Sequence, residues 1–249
     1  MQPHLIHCSF HKCLTKYYHL ILGGLFNDAE SGQTGYRHFD SRIDDFYREF
    51  ANYRVSSINN RRLDFDRLGE FRITRFVRDP RDLVVSGYFY HKRGAEGWCN
   101  IVGASTVNWS AMNGVAPPNM TETQSFAQLL EGLSQEDGLI AEIDFRRAHF
   151  ESMAQWPMDH PHIRTYRYED ILGREIEVFS DILAFYELTA AEQQRGLELA
   201  RQFAASSEGK LKSHIRDPKA GQWREVFTPT VARHFEKQHL ALLGRYGYS

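Results

Sequence analysis

The sequence predicts an α/β fold with a central, mainly parallel sheet flanked by helices. Three observations carry this expectation. Four short β-like runs, at residues 4–10, 54–58, 72–78 and 162–168, are separated by helical pattern, as when parallel strands are joined by crossovers. At 249 residues the chain is long enough for one such domain with a sizeable core, and no linker or repeat interrupts it. Two of the runs lead straight into a helix start rich in donors for an anion, which is the usual ligand end of a parallel strand.

The elements follow in order. Leu5-Ile6-His7-Cys8 reads as the first strand. After it, Tyr18, Ile21, Leu22 and Leu25 recur at helical spacing, and Gly23-Gly24 weakens the end of that helix. Ser41 is the expected cap of a helix carrying Ile43, Phe46, Tyr47 and Phe50, with Asp44 completing a capping box. Asp79-Pro80 reads as a cap followed by proline at the first helical position. Ser125 with Gln128, Ser134 with Asp137, and Thr189 with Glu192 mark three more helix starts. The second of these opens a stripe of Leu139, Ile143 and Phe150, and Ile176, Phe179, Ile182, Leu183 and Tyr186 mark the helix after the fourth strand. Thr228-Pro229 begins the last helix, which buries Val231, Phe235 and Leu242 and stops near Gly244. Residues 94–124 show no period and are rich in Gly, Asn, Ser and Pro, with Trp98 and Trp109 interspersed; a loop of this kind is expected to form a lid or binding loop.

Composition narrows the partners. Apolar residues make up 42% and charged residues 25% of the chain, ordinary for a globular protein. A net charge of −2 gives no global field for nucleic acid or an anionic membrane, though it leaves room for a local basic pocket. No apolar run reaches the roughly 20 residues of a membrane span, and the N-terminus lacks a secretory pattern. Three cysteines (Cys8, Cys13 and Cys99) are too few for a disulfide scaffold, so a cytoplasmic, reducing location is expected. The sequons at Asn108 and Asn119 are then chance matches. Nothing in the pattern specifies an oligomeric state.

The chemistry concentrates at two strand ends. The first is Ser9-Phe10-His11-Lys12-Cys13-Leu14-Thr15-Lys16. The second is Arg78-Asp79-Pro80-Arg81-Asp82, with Ser86 eight positions beyond Arg78. A helix start offers unsatisfied backbone N–H groups and a positive dipole end, which suit phosphate or sulfate. Two such sites imply one ligand with two separated anionic groups. His4, His7, Cys8, His11 and Cys13 form a conceivable metal set, but strand alternation sends His7 and Cys8 to opposite faces, so no metal site is expected.

This pattern resembles the sulfotransferases that use 3′-phosphoadenosine-5′-phosphosulfate (PAPS). Their first loop usually reads Pro-Lys-Ser-Gly-Thr-Thr; the matching positions here are His11, Lys12, Cys13, Leu14, Thr15 and Lys16. Leu14 stands in place of the glycine and Lys16 in place of the second threonine. Arg78 and Ser86 match the pair that holds the 3′-phosphate, Tyr168-Glu169-Asp170 matches a strand-end motif, and Arg216 through Phe227, with Lys219, Gly221 and Trp223, resembles the C-terminal basic Gly-x-Trp segment. The resemblance implies a P-loop-kinase-like three-layer architecture and a single domain over residues 1–249. It implies sulfuryl transfer from PAPS, with adenosine 3′,5′-bisphosphate (PAP) as product, no required metal, and Lys12 at the bridging oxygen. Tyr168 would contact adenine, Arg216 would close over the 3′-phosphate with Gly221 allowing close backbone approach, and Lys219 would join the donor-binding residues. The acceptor would be a hydroxyl or amine of a small molecule, carbohydrate or lipid.

The altered first loop also suits a non-catalytic nucleotide- or partner-binding protein on the same fold. Many family members place a histidine after the second strand, where this chain has Ser56 through Arg61 and none. A general base must then come from His38, Asp40 or His91.

Overall fold

The computed structural model describes residues 2–28, 32–103, 109, 111–204 and 219–248. They fall into two compact units. One draws on Met1–Asn59, Leu63–Arg78 and Pro157–Pro218; the other draws on Asn60–Arg62, Asp79–Trp156 and Lys219–Ser249. Neither is a contiguous stretch, which is why no change in composition marks a boundary along the chain.

The first unit holds the sheet. Its elements are β1 (His4–Ser9), α1 (Thr15–Phe26), a short hairpin of β2 (Asn27–Asp28) and β3 (Gln33–Thr34), β4 (Tyr36–His38), α2 (Ile43–Glu49), β5 (Val55–Asn59) and β6 (Phe71–Val77). Within the second unit follow α3 (Pro80–Lys92), α4 (Phe126–Gly132), α5 (Gln135–Phe145) and α6 (Arg147–Ala154). The chain then returns to the first unit with β7 (Ile163–Arg167), α7 (Tyr168–Ile171), α8 (Glu175–Phe185) and α9 (Ala190–Phe203). It ends in the second unit with α10 (Trp223–Val226) and α11 (Pro229–Arg245).

Five strands form one sheet in the order β4-β5-β1-β6-β7. Every neighbouring pair in it is parallel. The four expected strands are present to within a residue or two, and β4 is an addition. All five therefore end on the same edge of the sheet.

An aromatic core backs β1. His7 stacks on Tyr18 with centroids 3.6 Å apart, and Phe76 meets His7 edge-on at 4.5 Å. Tyr186 donates to the Ile6 carbonyl at 2.8 Å and pairs with Tyr18 and Thr74 through its hydroxyl. Burial, and then His38, pushes the His7 pKa well below the ordinary histidine value. The helix runs through Gly23-Gly24 to Phe26, and a Cβ on Gly24 would meet Leu199 of α9 at 3.2 Å. The missing side chain admits a neighbouring helix.

Most caps follow the sequence. Ser125 and Gln128 close a reciprocal capping box, as do Thr189 and Glu192. Ser134 accepts from Asp137 N–H, and Thr228 from Val231 N–H with Pro229 at the first helical position. Ser41 departs from its expectation. The residue before α2 is Arg42, which makes no side-chain cap, and Ser41 is buried one position further out. The stripe through Leu139, Ile143 and Phe150 is divided between α5 and α6, which meet at Arg146.

In the second unit, two tryptophans of the 94–124 loop meet the helices that follow it. Trp98 stacks on Phe145 at 5.1 Å and Trp109 meets Phe126 edge-on at 5.4 Å. Its tryptophans thus anchor the loop to α4 and α5.

Candidate active site

All five parallel strands deliver residues of interest at their carboxyl ends within the first unit. After β1 the chain tightens, with Cys13 N–H donating to the Phe10 carbonyl at 3.0 Å. Lys12 and Leu14 both take left-handed backbone conformations, with φ of 74° and 55°. For a non-glycine residue that costs about 1–2 kcal/mol. Leu14 is the residue preceding α1 and no side chain caps that helix. A left-handed residue followed by a right-handed helical one turns successive N–H groups to the same side, the geometry of an anion-binding concavity. The conformation that glycine favours is therefore kept by a leucine under strain. His11, Lys12, Leu14 and Thr15 are partly exposed and Lys16 is exposed. Cys13 is fully buried, and burial drives its thiol pKa far above the ordinary range, so only its backbone can serve a ligand.

Arg78 leaves the end of β6 and reaches the first loop. Its Nη1 donates to the Lys12 carbonyl at 3.4 Å, and its guanidinium lies 4.1 Å over the ring of Tyr168, at the end of β7. Arg78 and Tyr168 are both buried. Stacking and hydrogen bonding together fix the guanidinium plane, which prepares it for bidentate recognition of phosphate. Tyr17 and Tyr18 are core residues. Tyr17 donates to the Ala200 carbonyl at 3.0 Å, and Tyr18 pairs with Tyr186.

A hydrogen-bonded chain links the first loop to His38. Thr15 Oγ1 lies 3.0 Å from Ser9 Oγ, which donates to Asn59 Oδ1 at 2.6 Å. Asn59 Nδ2 lies 3.4 Å from His38 Nε2. His38 Nδ1 meets Ser57 Oγ at 2.8 Å, and Ser57 in turn meets the Tyr36 hydroxyl at 2.6 Å. Asp40 Oδ1 is also 3.4 Å from His38 Nε2. The neutral ring can accept from Asn59 at Nε2 while donating from Nδ1 to Ser57. Asp40 thus stands beside the same ring nitrogen as Asn59. Pairing β4 with β5 opposes His38 to Ser57, which sets a histidine one strand over from the position where the sequence lacks one.

The second unit carries the remaining candidates. Ser86 is partly exposed on α3. His91, on the same helix, is wholly enclosed: its Nδ1 is 2.8 Å from Glu142, which also accepts from Arg146 Nε at 2.7 Å. Trp98 and Phe145 close over the ring. Asp79 caps α3 by accepting from Arg81 N–H at 2.9 Å and clasps the Arg81 guanidinium through both oxygens. That guanidinium lies 3.6 Å over Trp223. Trp223 thus packs its ring against Arg81. Lys219 is exposed and Gly221 partly so, with φ of 79°. Arg216 lies outside the described residues.

Sequence reasoning missed two things. One is Asn59 as the link between Ser9 and His38, visible only once β1, β5 and β4 lie side by side. The other is the pairing of Asp82 with the N–H groups of Gly221 and Trp223, 139 and 141 positions away.

The central strand of the parallel sheet thus runs into a left-handed, uncapped helix start, and a buried arginine held by Lys12 and Tyr168 stands at the end of the neighbouring strand. The profile of the sulfotransferase domain family matches residues 69–247, and the chain belongs to that family. It is a PAPS-dependent sulfotransferase. The matched span contains Arg78, Ser86, Tyr168 and Gly221 but begins after the first loop. Among solved structures, the chain is similar to mouse sulfotransferase SULT7A1 complexed with PAP, at a TM-score of 0.53 and 17% identity over 98% of this chain and 84% of that one. It is also similar to retinol dehydratase in a complex with retinol and PAP, at a TM-score of 0.52 and 14% identity over 98% and 82%. At these identities the likeness is one of fold. No curated protein sequence gives a significant match. No helix among the described residues is long and apolar enough to cross a membrane.

Proposed function

We propose that the protein transfers the sulfuryl group of PAPS to a hydroxyl of a small-molecule, carbohydrate or lipid acceptor, with Lys12 and Arg78 as the principal donor-site residues and His38 as the base. An amine acceptor would need less help from a base. The observation that carries this reading is the convergence of Lys12, Thr15, Arg78, Tyr168 and His38 at the carboxyl ends of one parallel sheet.

The donor set suits an anionic nucleotide: an ammonium, a hydroxyl, a guanidinium and an uncapped helix start. Bound PAPS would supply an SO3 group carried on a phosphate oxygen. Backbone N–H groups of the first loop, with Thr15 Oγ1, bind the 5′ end. Lys12 offsets the charge that grows on the phosphate side as the sulfur–oxygen bond breaks. Arg78, oriented by Tyr168, takes the 3′-phosphate, and on the family resemblance Ser86, Lys219 and Gly221 share it. Arg216 is assigned the same role on that resemblance alone. His38 Nε2 accepts the acceptor's hydroxyl proton as the new oxygen–sulfur bond forms, and Asp40 steadies the imidazolium. His38 is preferred to His91 because His91 is shut away in its ion-paired cluster. The three buried free cysteines agree with a reducing cytoplasm.

Calorimetric titration with PAP tests the donor site. Wild type should bind, and Arg78→Ala should lose about 100-fold in affinity, the usual cost of removing a charged hydrogen-bonding partner. Absence of binding to folded wild type would overturn the reading. His38→Gln tests the base: it should leave PAP affinity unchanged while lowering kcat by at least about 100-fold with a hydroxyl acceptor. An unchanged kcat would remove His38 from the mechanism.

A further inference from the structure

Asp82 is a wholly buried carboxylate in the first turn of α3. Its Oδ2 accepts from Gly221 N–H at 2.6 Å and its Oδ1 from Trp223 N–H at 3.0 Å. Both oxygens are thus engaged by the backbone of one short segment. Next to it in sequence, Arg81 stacks on the Trp223 ring while Asp79 holds Arg81 in place. Two adjacent residues, supported by a third, grip the same stretch of chain.

The stretch they grip contributes little to the core. No residue of α10 is buried, Gly221 and Gln222 are partly exposed, and Lys219 and Ala220 are exposed. Burying a carboxylate costs several kcal/mol before its hydrogen bonds offset the loss. That cost is out of proportion to the packing of an unburied segment. It is in proportion to fixing where the segment lies. Asp82 and Ser86 are four residues apart on α3 and so share one helix face. The latch therefore holds Gly221, and Lys219 two residues before it, on the side of α3 that carries Ser86.

We infer that Asp82 is a positioning residue for recognition of the donor's 3′-phosphate. It acts by latching the segment 219–223 to α3, and it touches no part of the ligand itself. This rests on the sulfotransferase reading above, which gives Ser86, Lys219 and Gly221 to that phosphate. Gly221 fits the role: it is left-handed, with φ of 79°, so a side chain there would be strained.

The test compares PAP with adenosine 5′-phosphate, which lacks the 3′-phosphate, on wild type and Asp82→Asn. Asparagine keeps the size but offers one acceptor and turns an NH2 toward the other backbone N–H. Wild type should prefer PAP. Asp82→Asn should lose about tenfold or more in PAP affinity and keep its affinity for adenosine 5′-phosphate within about twofold. With PAPS as substrate, KM should rise by a similar factor while kcat at saturation stays within about twofold. Equal losses for both nucleotides, or no loss for PAP, would overturn the inference. A wild type with no preference for PAP would instead overturn the sulfotransferase reading beneath it. If Asp82→Asn does not fold, Gly221→Ala displaces the same segment and should show the same selective loss; an unselective loss there would also overturn the inference.

Discussion

Two strand-to-helix junctions occupy neighbouring places in the sequence pattern and solve their helix starts in opposite ways. At the end of β1, α1 begins behind Leu14, which has no polar side chain and sits in a left-handed conformation. At the end of β6, α3 begins behind Asp79, whose carboxylate caps the helix, with Pro80 at the first helical position. The first junction leaves its backbone donors open and stores strain, and the recognition proposed for it rests on that backbone. The second satisfies its own backbone, and the recognition proposed for it rests on side chains, Arg78 before the cap and Ser86 after it. Both read from the sequence as helix starts that would bind an anion through their N–H groups. At the second, Asp79 caps the helix as its sequence suggested, accepting from Arg81 N–H.

The largest effect that would break this contrast is on catalysis. Lys12→Ala should lower kcat by at least about 1,000-fold, or roughly 4 kcal/mol of transition-state stabilisation, while the circular dichroism spectrum and Tm stay close to wild type. Turnover within tenfold of wild type would mean that the first junction only binds. Next in size is the cap of the second junction. Asp79→Ala removes a cap and strands the buried Arg81, so denaturant unfolding should show a loss of about 3 kcal/mol. A loss under about 0.5 kcal/mol would mean that α3 does not depend on its cap. The smallest effect has the opposite sign. Leu14→Gly relieves left-handed strain against the greater chain entropy of glycine, so stability should rise by about 0.5 kcal/mol and Tm by a degree or two. A destabilised variant would show that the Leu14 side chain matters more than its backbone. Together, Asp79→Ala and Leu14→Gly should move stability in opposite directions.

The residues that were legible in advance share a physical reason. Ser125 with Gln128 and Thr189 with Glu192 are local boxes whose partners lie three residues apart, and both closed as expected. Arg78, Lys12 and Tyr168 each follow a strand long enough to be recognised, so their common edge followed from the parallel sheet. Strand β4 was not legible because three residues cannot display a period of two. With β4 went the contact between His38 and Asn59, and hence the grounds for choosing among His38, Asp40 and His91. The fate of His91 depended on Glu142 and Arg146, more than 50 positions away. Ser41 misled because a capping pattern is common in sequence and only the backbone path decides which residue precedes the first turn.

By itself, the sequence determined the α/β class, the strands that end in charged loops, most helix starts, and membership in a PAPS-using family through ordered short motifs. These depend on contacts within a few residues, where periodicity and capping chemistry act. The tertiary structure alone decided that Leu14 would hold a glycine-like turn, that Arg78 would lie over Tyr168, that Asn59 would join Ser9 to His38, and that Asp82 would latch Gly221 and Trp223 from 139 and 141 positions away. Each of these is a long-range contact set by strand order and helix packing, and no local pattern encodes which distant backbone a buried carboxylate will meet.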